Sequence, residues 1–413
     1  MVKILIVLSY LLMEGFDAFV DHLNDTYIDR ELPENVRDIY DEAEYEKWRD
    51  YQNESGNLDL ISDVIKIAVT LVFLISNAYS WLFRVVPSPN VFVQYLCVVA
   101  ILTLITEMIE IPFDYYDTFV IEEKYGLNKS TKGTFVLDMI KGYFIAVAIL
   151  YAFIMLIMVI FETFGNLAFI VATAAMVIIM LLIALIIVPL MRIYNKFTPL
   201  EEGELRDKLT DLCTKYGMKI RKIVVKDASR RTTTSNAFCS GFGKMKTISL
   251  DDNLVNNYDS DEIVAVFAHE FGHARFRHVI KSLPFSIVSM LITFLGLYVV
   301  LNIPALYTPF GFEGINYFFA QMILSLMIWP LSKFFSAVTN YISRKHEYQA
   351  DAFAAGEGYG DHLISALKRL SKEALSDINP HPLKVLLDYS HPTLSQRIEA
   401  INKIDQIQVK KQQ

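Results

Sequence analysis

Apolar residues fall in blocks of about twenty, separated by polar stretches, which is the pattern of a chain that crosses a bilayer repeatedly. Seven spans are predicted: Val2–Val20, Ile67–Val86, Val91–Ile111, Val136–Phe161, Leu167–Leu190, Phe285–Ile303 and Tyr317–Val338. The first carries Glu14 and Asp17 and is followed by acidic residues, with no clear small-residue cleavage site, so it reads as a retained span and not a signal peptide. The segment Asp21–Asp59 is dense in Asp, Glu, Tyr and Arg and reads as a polar loop with a helix through Glu42–Tyr51. Pro284 and Pro330 sit where they end or kink their helices.

Charge in the loops sets an orientation. With seven spans, one side collects the N-terminus and the loops near 87–90, 162–166 and 304–316, with Lys3 and Arg84 as its basic residues. The other side holds Lys124, Lys129 and Lys132 in a short loop and the basic segment 191–282. The positive-inside rule places that second side in the cytoplasm.

Segment 191–282 is polar enough to stand outside the bilayer. Leu205, Leu209 and Leu212 recur at helical spacing within Leu200–Tyr216. Lys222–Lys226 and Lys246–Leu250 read as short strands. Gly241 and Gly243 between them suggest a turn, hence a hairpin. A strand edge there is suited to hold an extended peptide by its main chain, or simply to cover what lies beneath. The chain thus divides into residues 1–190 (five spans and the polar loop 21–60), the insert 191–282, two further spans in 283–340, and a helical part 341–413.

Within the insert lies His269-Glu270-Phe271-Gly272-His273, preceded by the apolar run Ile263–Ala268, with Asp261 and Glu262 suited to a helix start. Residues four apart share a helix face, so both imidazoles can grip one metal ion, and Glu270 can reach a metal-bound water as general base. A catalytic zinc takes a third protein ligand. The strongest candidate segment is Ser343–Ala354, where Glu347 and Asp351 share a face. One carboxylate can ligate while the other hydrogen-bonds a ligating histidine. His346 is an alternative ligand, and a solvated helix face is the ordinary fate of such an acidic pair. His278 lies five residues past His273, off the ligand face, and reads as structural or interfacial.

Composition narrows the class. Hydrophobic residues make up 53% of the chain and aromatics 13%, more than a soluble domain carries. The net charge of −8 excludes a basic nucleic-acid surface. The cysteines Cys97, Cys213 and Cys239 are odd in number and far apart, so no disulfide framework follows.

Four blocks carry a resemblance: Ile111–Lys129, Asn236–Lys244, His269–His273 with Glu347–Ala354, and Ser390–Ile398. In order, and over nearly the whole chain, the sequence resembles the type I CAAX prenyl proteases, seven-span integral-membrane zinc metalloproteases. The resemblance implies a mainly α polytopic protein whose seven helices enclose a water-filled chamber, with a cytoplasmic-side protease domain and a small β-hairpin or sheet. It implies one Zn²⁺ per chain, with Glu347 as third ligand beside His269 and His273, Glu270 as catalytic base, and Asp351 as the carboxylate orienting the site. His391 would face the substrate and stabilise the tetrahedral intermediate, and Arg397 would pair with the site's carboxylates. Asn236 and Ala237, with Phe238 following, would hold the peptide substrate's main chain. The chamber would account for Glu107, Glu110 and Asp114 close to the spans, whereas Asp138 and Glu162 read as interface residues.

The implied partners are a peptide or protein substrate, prenylated in this family, and membrane lipid, with no nucleic acid. The implied location is the endoplasmic reticulum membrane in a eukaryote or the inner membrane in a bacterium. The compact length points toward a bacterial member, and Lys410-Lys411-Gln412-Gln413 formally fits a dilysine retrieval signal. Two other functions share these features: a quality-control membrane protease of broad specificity, and a transporter or scaffold.

Overall fold

The computed structural model describes the chain except residues 29, 218–219, 241–245 and 413; for 220–221, 240, 246 and 405–412 it describes the backbone alone. The chain is mainly helical with one small mixed sheet. In order, α1 (Val2–Ile28), α2 (Glu42–Ser76), α3 (Ala78–Val85), α4 (Val91–Tyr116), a single turn α5 (Glu123–Tyr125), α6 (Lys132–Phe164) and α7 (Ala168–Met191) form the first half. The sheet strands are β1 (Phe197–Pro199), β2 (Ile220–Lys226), β3 (Ala237–Ser240) and β4 (Lys246–Asp251), with α8 (Glu204–Lys215) between the first two. Then come α9 (Asp252–Asn257), α10 (Ser260–Arg275), α11 (His278–Leu301), α12 (Tyr317–Ala354), α13 (Gly360–Glu373), α14 (Pro382–Asp388) and α15 (Leu394–Gln412).

Among the described residues, four helical stretches are long and apolar enough to cross a membrane: Val91–Tyr125, Lys132–Met191, His278–Leu301 and Tyr317–Glu373. The second contains both α6 and α7, joined by the short turn Gly165–Leu167. The helices over the other predicted spans carry more charge: Lys3, Glu14 and Asp17 on α1, and Asp59, Asp63 and Lys66 on α2.

Several expectations change in detail. The polar stretch after the first span is largely helical, because α1 runs on to Ile28 and α2 starts at Glu42. Asp41 starts α2 through a capping box with Glu44, and the helix continues unbroken from the polar segment into the apolar one. The block expected as one span over Ile67–Val86 is instead broken at Asn77, which adopts a left-handed conformation (φ 63°) between α2 and α3. The strands around Lys222–Lys226 and Lys246–Leu250 are not partners in a hairpin: β2 and β4 pair in parallel. The antiparallel neighbour of β4 is β3, in the order β1-β2-β4-β3, which leaves β3 on an edge. Gly241 and Gly243, expected at the turn, lie outside the described residues.

Three apolar clusters hold the chain together. One joins the long helices around Ile154, Ile157, Phe319 and Ile323, all fully buried. A second packs the sheet and α8 on α10 and α13 around Ile248, Leu250, Phe267 and Phe271. The third gathers distant parts of the sequence, Val36 and Trp48, Ile121 and Tyr125, Ile378 and Ile398, into one core. That third cluster seats the start of α15 beside the long helices.

Candidate active site: a histidine–carboxylate cluster between two helices

Helix α10 begins where sequence chemistry says it should. Asp259 caps it and forms a capping box with Glu262, satisfying amides that a helix start leaves bare. Glu262 through His269 are buried, with Phe271 and Gly272. That burial drives the helix against its neighbours and makes its ligand face an interior one.

Helix α12 supplies the other half. It is capped by Asn316, whose side chain accepts from the Phe319 amide at 2.9 Å, and it continues without a break past Pro330 to Ala354. Glu347 and Asp351 therefore ride on the rigid extension of a long apolar helix. Gly272 lets the two helices meet: a Cβ there would lie 3.0 Å from Ala350 Cα and 3.3 Å from Ala350 Cβ. A side chain there would have to push the helices apart by a few tenths of an ångström, so glycine suits the close approach.

The approach brings His269, His273 and Glu347 together. His269 Nε2 lies 3.1 Å from His273 Nε2 and 3.4 Å from Glu347 Oε2, and His273 Nε2 lies 3.2 Å from Glu347 Oε1. Ligands about 2.0–2.1 Å from a tetrahedral zinc stand roughly 3.3 Å from one another, so these spacings fit. Glu347 is 3% exposed, and its Oε2 makes no well-formed hydrogen bond. Such an atom is costly to bury unless a cation faces it. Burial lowers the proton affinity of His269, but the hydrogen bond to Asp351 and the adjacent Glu347 carboxylate outweigh it and hold the ring at about 9. The pocket thus attracts positive charge, whether a proton or a metal, and the residues fit the metal that the motif implies.

The other expected site residues lie around this triangle. Asp351 Oδ1 accepts from His269 Nδ1 at 2.8 Å. Arg397 grips Asp351 with two bonds, Nε to Oδ2 at 2.9 Å and Nη2 to Oδ1 at 2.7 Å. His391 Nε2 stands 3.6 Å from Glu347 Oε1, on a side chain 61% exposed. Asn236, Ala237, His269, Glu270, His391 and Arg397 line a common pocket of about 160 Å³. Phe238 does not line that pocket. His346 does not reach the cluster as a ligand; its ring stacks on His278 at 4.0 Å.

Two features escaped sequence reasoning. His278 lies against His273, with 3.0 Å between their Nδ1 atoms. The five-residue spacing hid this, because a continuous helix would point the two apart. The stretch before β3 is the second. Arg231 donates from Nε to Asp138 Oδ2 at 2.8 Å and from Nη2 to the Tyr194 carbonyl at 2.7 Å. Its own carbonyl accepts from the Lys129 amide at 2.9 Å, and the Thr233 amide donates to the Leu127 carbonyl at 3.1 Å. The block ending at Lys129 therefore anchors the approach to the edge strand. The charges of Arg231 and Asp138 are visible in the sequence, but nothing in the sequence pairs them.

Long apolar helices joined to an H-E-x-x-H helix and a facing glutamate define a membrane metallopeptidase. Comparison with known proteins gives the family. Residues 23–193 match the family described as "CAAX prenyl protease N-terminal, five membrane helices", and residues 199–405 match peptidase family M48. CAAX prenyl protease 1 of Saccharomyces cerevisiae is 32% identical, over 91% of this chain and 89% of its own. A CAAX prenyl protease 1 homolog of Arabidopsis thaliana is also 32% identical, over 94% of this chain and 96% of its own. The crystal structure of S. mikatae Ste24p superposes with a TM-score of 0.91 at 30% identity, covering 97% of this chain and 99% of that one. The chain belongs to the CAAX prenyl protease 1 family of M48 metallopeptidases, and it is a multi-pass membrane enzyme. A transporter or scaffold role is thereby set aside. Its length is also no mark of a bacterial member, since it spans nearly the whole of these eukaryotic relatives.

Proposed function

We propose that the chain is a zinc endopeptidase that removes the C-terminal tripeptide of prenylated CaaX proteins, with His269, His273 and Glu347 holding the metal. The observation that carries the site assignment is the close triangle of the two Nε2 atoms and the Glu347 carboxylate, with one carboxylate oxygen otherwise unpartnered. Zinc bound there supplies Lewis acidity, which acidifies a water and polarises the scissile carbonyl.

The chain's own residues do the rest. Glu270, beside the first ligand and in the same pocket, takes a proton from the attacking water and gives it to the leaving amine. His391, across the pocket, donates to the developing oxyanion. Asp351, gripped by Arg397, accepts the His269 Nδ1 proton and so keeps Nε2 free to ligate.

The substrate would lie along β3. The Asn236 carbonyl is bonded inward to the Asp251 amide at 2.9 Å, so by strand alternation the main-chain groups of Ala237 face the free edge. The Ala237 amide is meanwhile held by Asn236 Oδ1 at 2.7 Å. An incoming strand would displace that side chain and pair with Ala237, the main-chain mode of peptide recognition. Phe238 then faces β4, opposite Ser249, and serves the strand more than the substrate.

The membrane arrangement we favour has seven spans around a chamber, with the site toward the cytoplasm. Exposed Leu5, Leu8, Leu12, Leu60, Ile61 and Val64 suit α1 and α2 to lipid despite their charges. A cavity of about 300 Å³ between α2 and α4 carries Lys66, Thr70 and Glu110 on an otherwise largely apolar wall, which gives these polar groups a place to face away from lipid. The loop charges support the cytoplasmic orientation; in a eukaryotic cell the membrane we favour is that of the endoplasmic reticulum.

The test is cleavage of a farnesylated CaaX peptide against its unprenylated form by the purified, zinc-loaded chain. Preference for the prenylated peptide supports the proposal. Equal, poor turnover of both would point to a quality-control protease instead. Glu270→Ala should retain zinc and lose hydrolysis; if it stays active, Glu270 is not the base.

A further inference from the structure

We propose that His278 is a positioning residue for the metal site, holding His273 in the one tautomer that leaves its Nε2 lone pair free to ligate. The inference rests on the assignment of His269, His273 and Glu347 as the metal-holding set.

An imidazole that ligates through one nitrogen carries a proton on the other, and that proton needs an acceptor. For His269 the acceptor is the Asp351 carboxylate, 2.8 Å away. For His273 the neighbour of Nδ1 is another imidazole nitrogen, His278 Nδ1 at 3.0 Å. Two ring nitrogens that close must share a single proton. The far side of His278 decides which ring owns it. His278 Nε2 lies 3.1 Å from Gln349 Oε1, a carbonyl oxygen that only accepts. His278 therefore carries its proton on Nε2 and presents a bare Nδ1. The proton between the rings belongs to His273 Nδ1, and His273 Nε2 is left with its lone pair toward His269 and Glu347. The relay runs from Gln349 to His278 to His273.

The backbone is built for this contact. In an unbroken helix a residue five places on is turned by roughly 140°, which would carry His278 away from His273. The helix breaks instead at Arg277, which adopts a left-handed conformation with φ 55°. That conformation is disfavoured for a residue other than glycine, so the break is held by the packing around it. The break starts α11 at His278 and swings its ring back toward the ligand. There it is 4% exposed. The His346 ring lies parallel to it, 4.0 Å away and tilted by 5°, and Phe276 stacks nearby at 5.7 Å. Both Gln349 and His346 come from α12, next to Glu347. The same helix that offers the third ligand thus fixes the partner of the second.

The experiment uses the full chain in detergent and compares His278→Phe, His278→Gln and Gln349→Leu with wild type. Phe keeps a flat ring for the His346 stack and has no acceptor; Gln keeps an acceptor. Zinc affinity is measured by chelator competition, and melting temperature with and without zinc. The expected result for His278→Phe is zinc affinity weakened about 10- to 100-fold, a zinc-free melting temperature close to wild type, and a smaller rise on adding zinc. His278→Gln should recover part of the affinity, and Gln349→Leu should show a milder loss in the same direction. His278→Phe binding zinc within about twofold of wild type overturns the proposal. So does equal weakening of the Phe and Gln variants with a fallen zinc-free melting temperature, which marks a packing role alone. Wild-type zinc binding that survives His273→Ala overturns the ligand assignment itself, and this inference with it, a result distinct from the other two.

Discussion

Asp351 serves two neighbours at once. One oxygen takes the His269 proton while both are gripped by Arg397, on a residue with no measurable exposure. Arg397→Met would leave that buried carboxylate with His269 as its remaining partner, and losing one partner of a buried pair costs about 3–5 kcal/mol. The expected outcome is a lowered melting temperature together with weakened zinc binding, read by thermal unfolding and chelator competition. The metal-free His269 ring also fixes a pH dependence. Its affinity for a proton is raised to about 9, so at neutral pH the ring is charged and an arriving metal must displace that proton. Zinc affinity should therefore weaken as pH falls below 9, by about tenfold per unit for each proton displaced. Affinity that is flat between pH 6 and 9 would contradict this.

Between elements, the decisive contact is the approach of α10 to α12 at Gly272. The atom a new Cβ meets first is Ala350 Cα, backbone that cannot rotate aside. Gly272→Ala should thus destabilise the chain by about 1–3 kcal/mol despite alanine's better helix propensity. It should also loosen the metal site, because Ala350 sits beside Asp351. A melting temperature equal to or above wild type would refute the packing argument. The anchor of the edge strand gives a second expectation. Arg231 joins Asp138 on α6 to the Tyr194 carbonyl just after α7. Arg231→Ala should raise KM for peptide several-fold while zinc content stays at wild-type level, which steady-state kinetics and metal analysis will show.

At the scale of the whole molecule, the candidate pocket is assembled from parts far apart in sequence. His391 and Arg397 flank the start of α15, where Leu394 and Ile398 pack in one cluster with Trp48 and Ile121. Trp48 has no measurable exposure, and its indole donates to the Ser376 carbonyl at 2.8 Å. Trp48→Ala should cost about 3–5 kcal/mol. It should also lower turnover although Trp48 lies outside the metal cluster, because the seat of α15 is lost. Unchanged activity in a destabilised variant would show that α15 is held by other contacts.

The sequence by itself determined what is local or periodic. Apolar blocks of bilayer length marked the long helices, since a chain without water to bond its backbone must satisfy it within the helix. The four-residue spacing of His269 and His273 put both on one face, as did that of Glu347 and Asp351, because helix geometry is fixed. The motifs also carried the resemblance that the family comparison upheld. Only the tertiary structure decided what depends on contacts distant along the chain. The parallel pairing of β2 with β4 joins strands that are not neighbours in sequence, with β3 on the outer side of β4, which no turn residue encodes. Glu347 meets the two histidines because Gly272 and Ala350 are both small where the helices cross. His278 reaches His273 because one left-handed residue, Arg277, interrupts a helix that periodicity alone would have continued. A sequence fixes which residues share a face, but which faces meet is settled by packing the whole chain into one core.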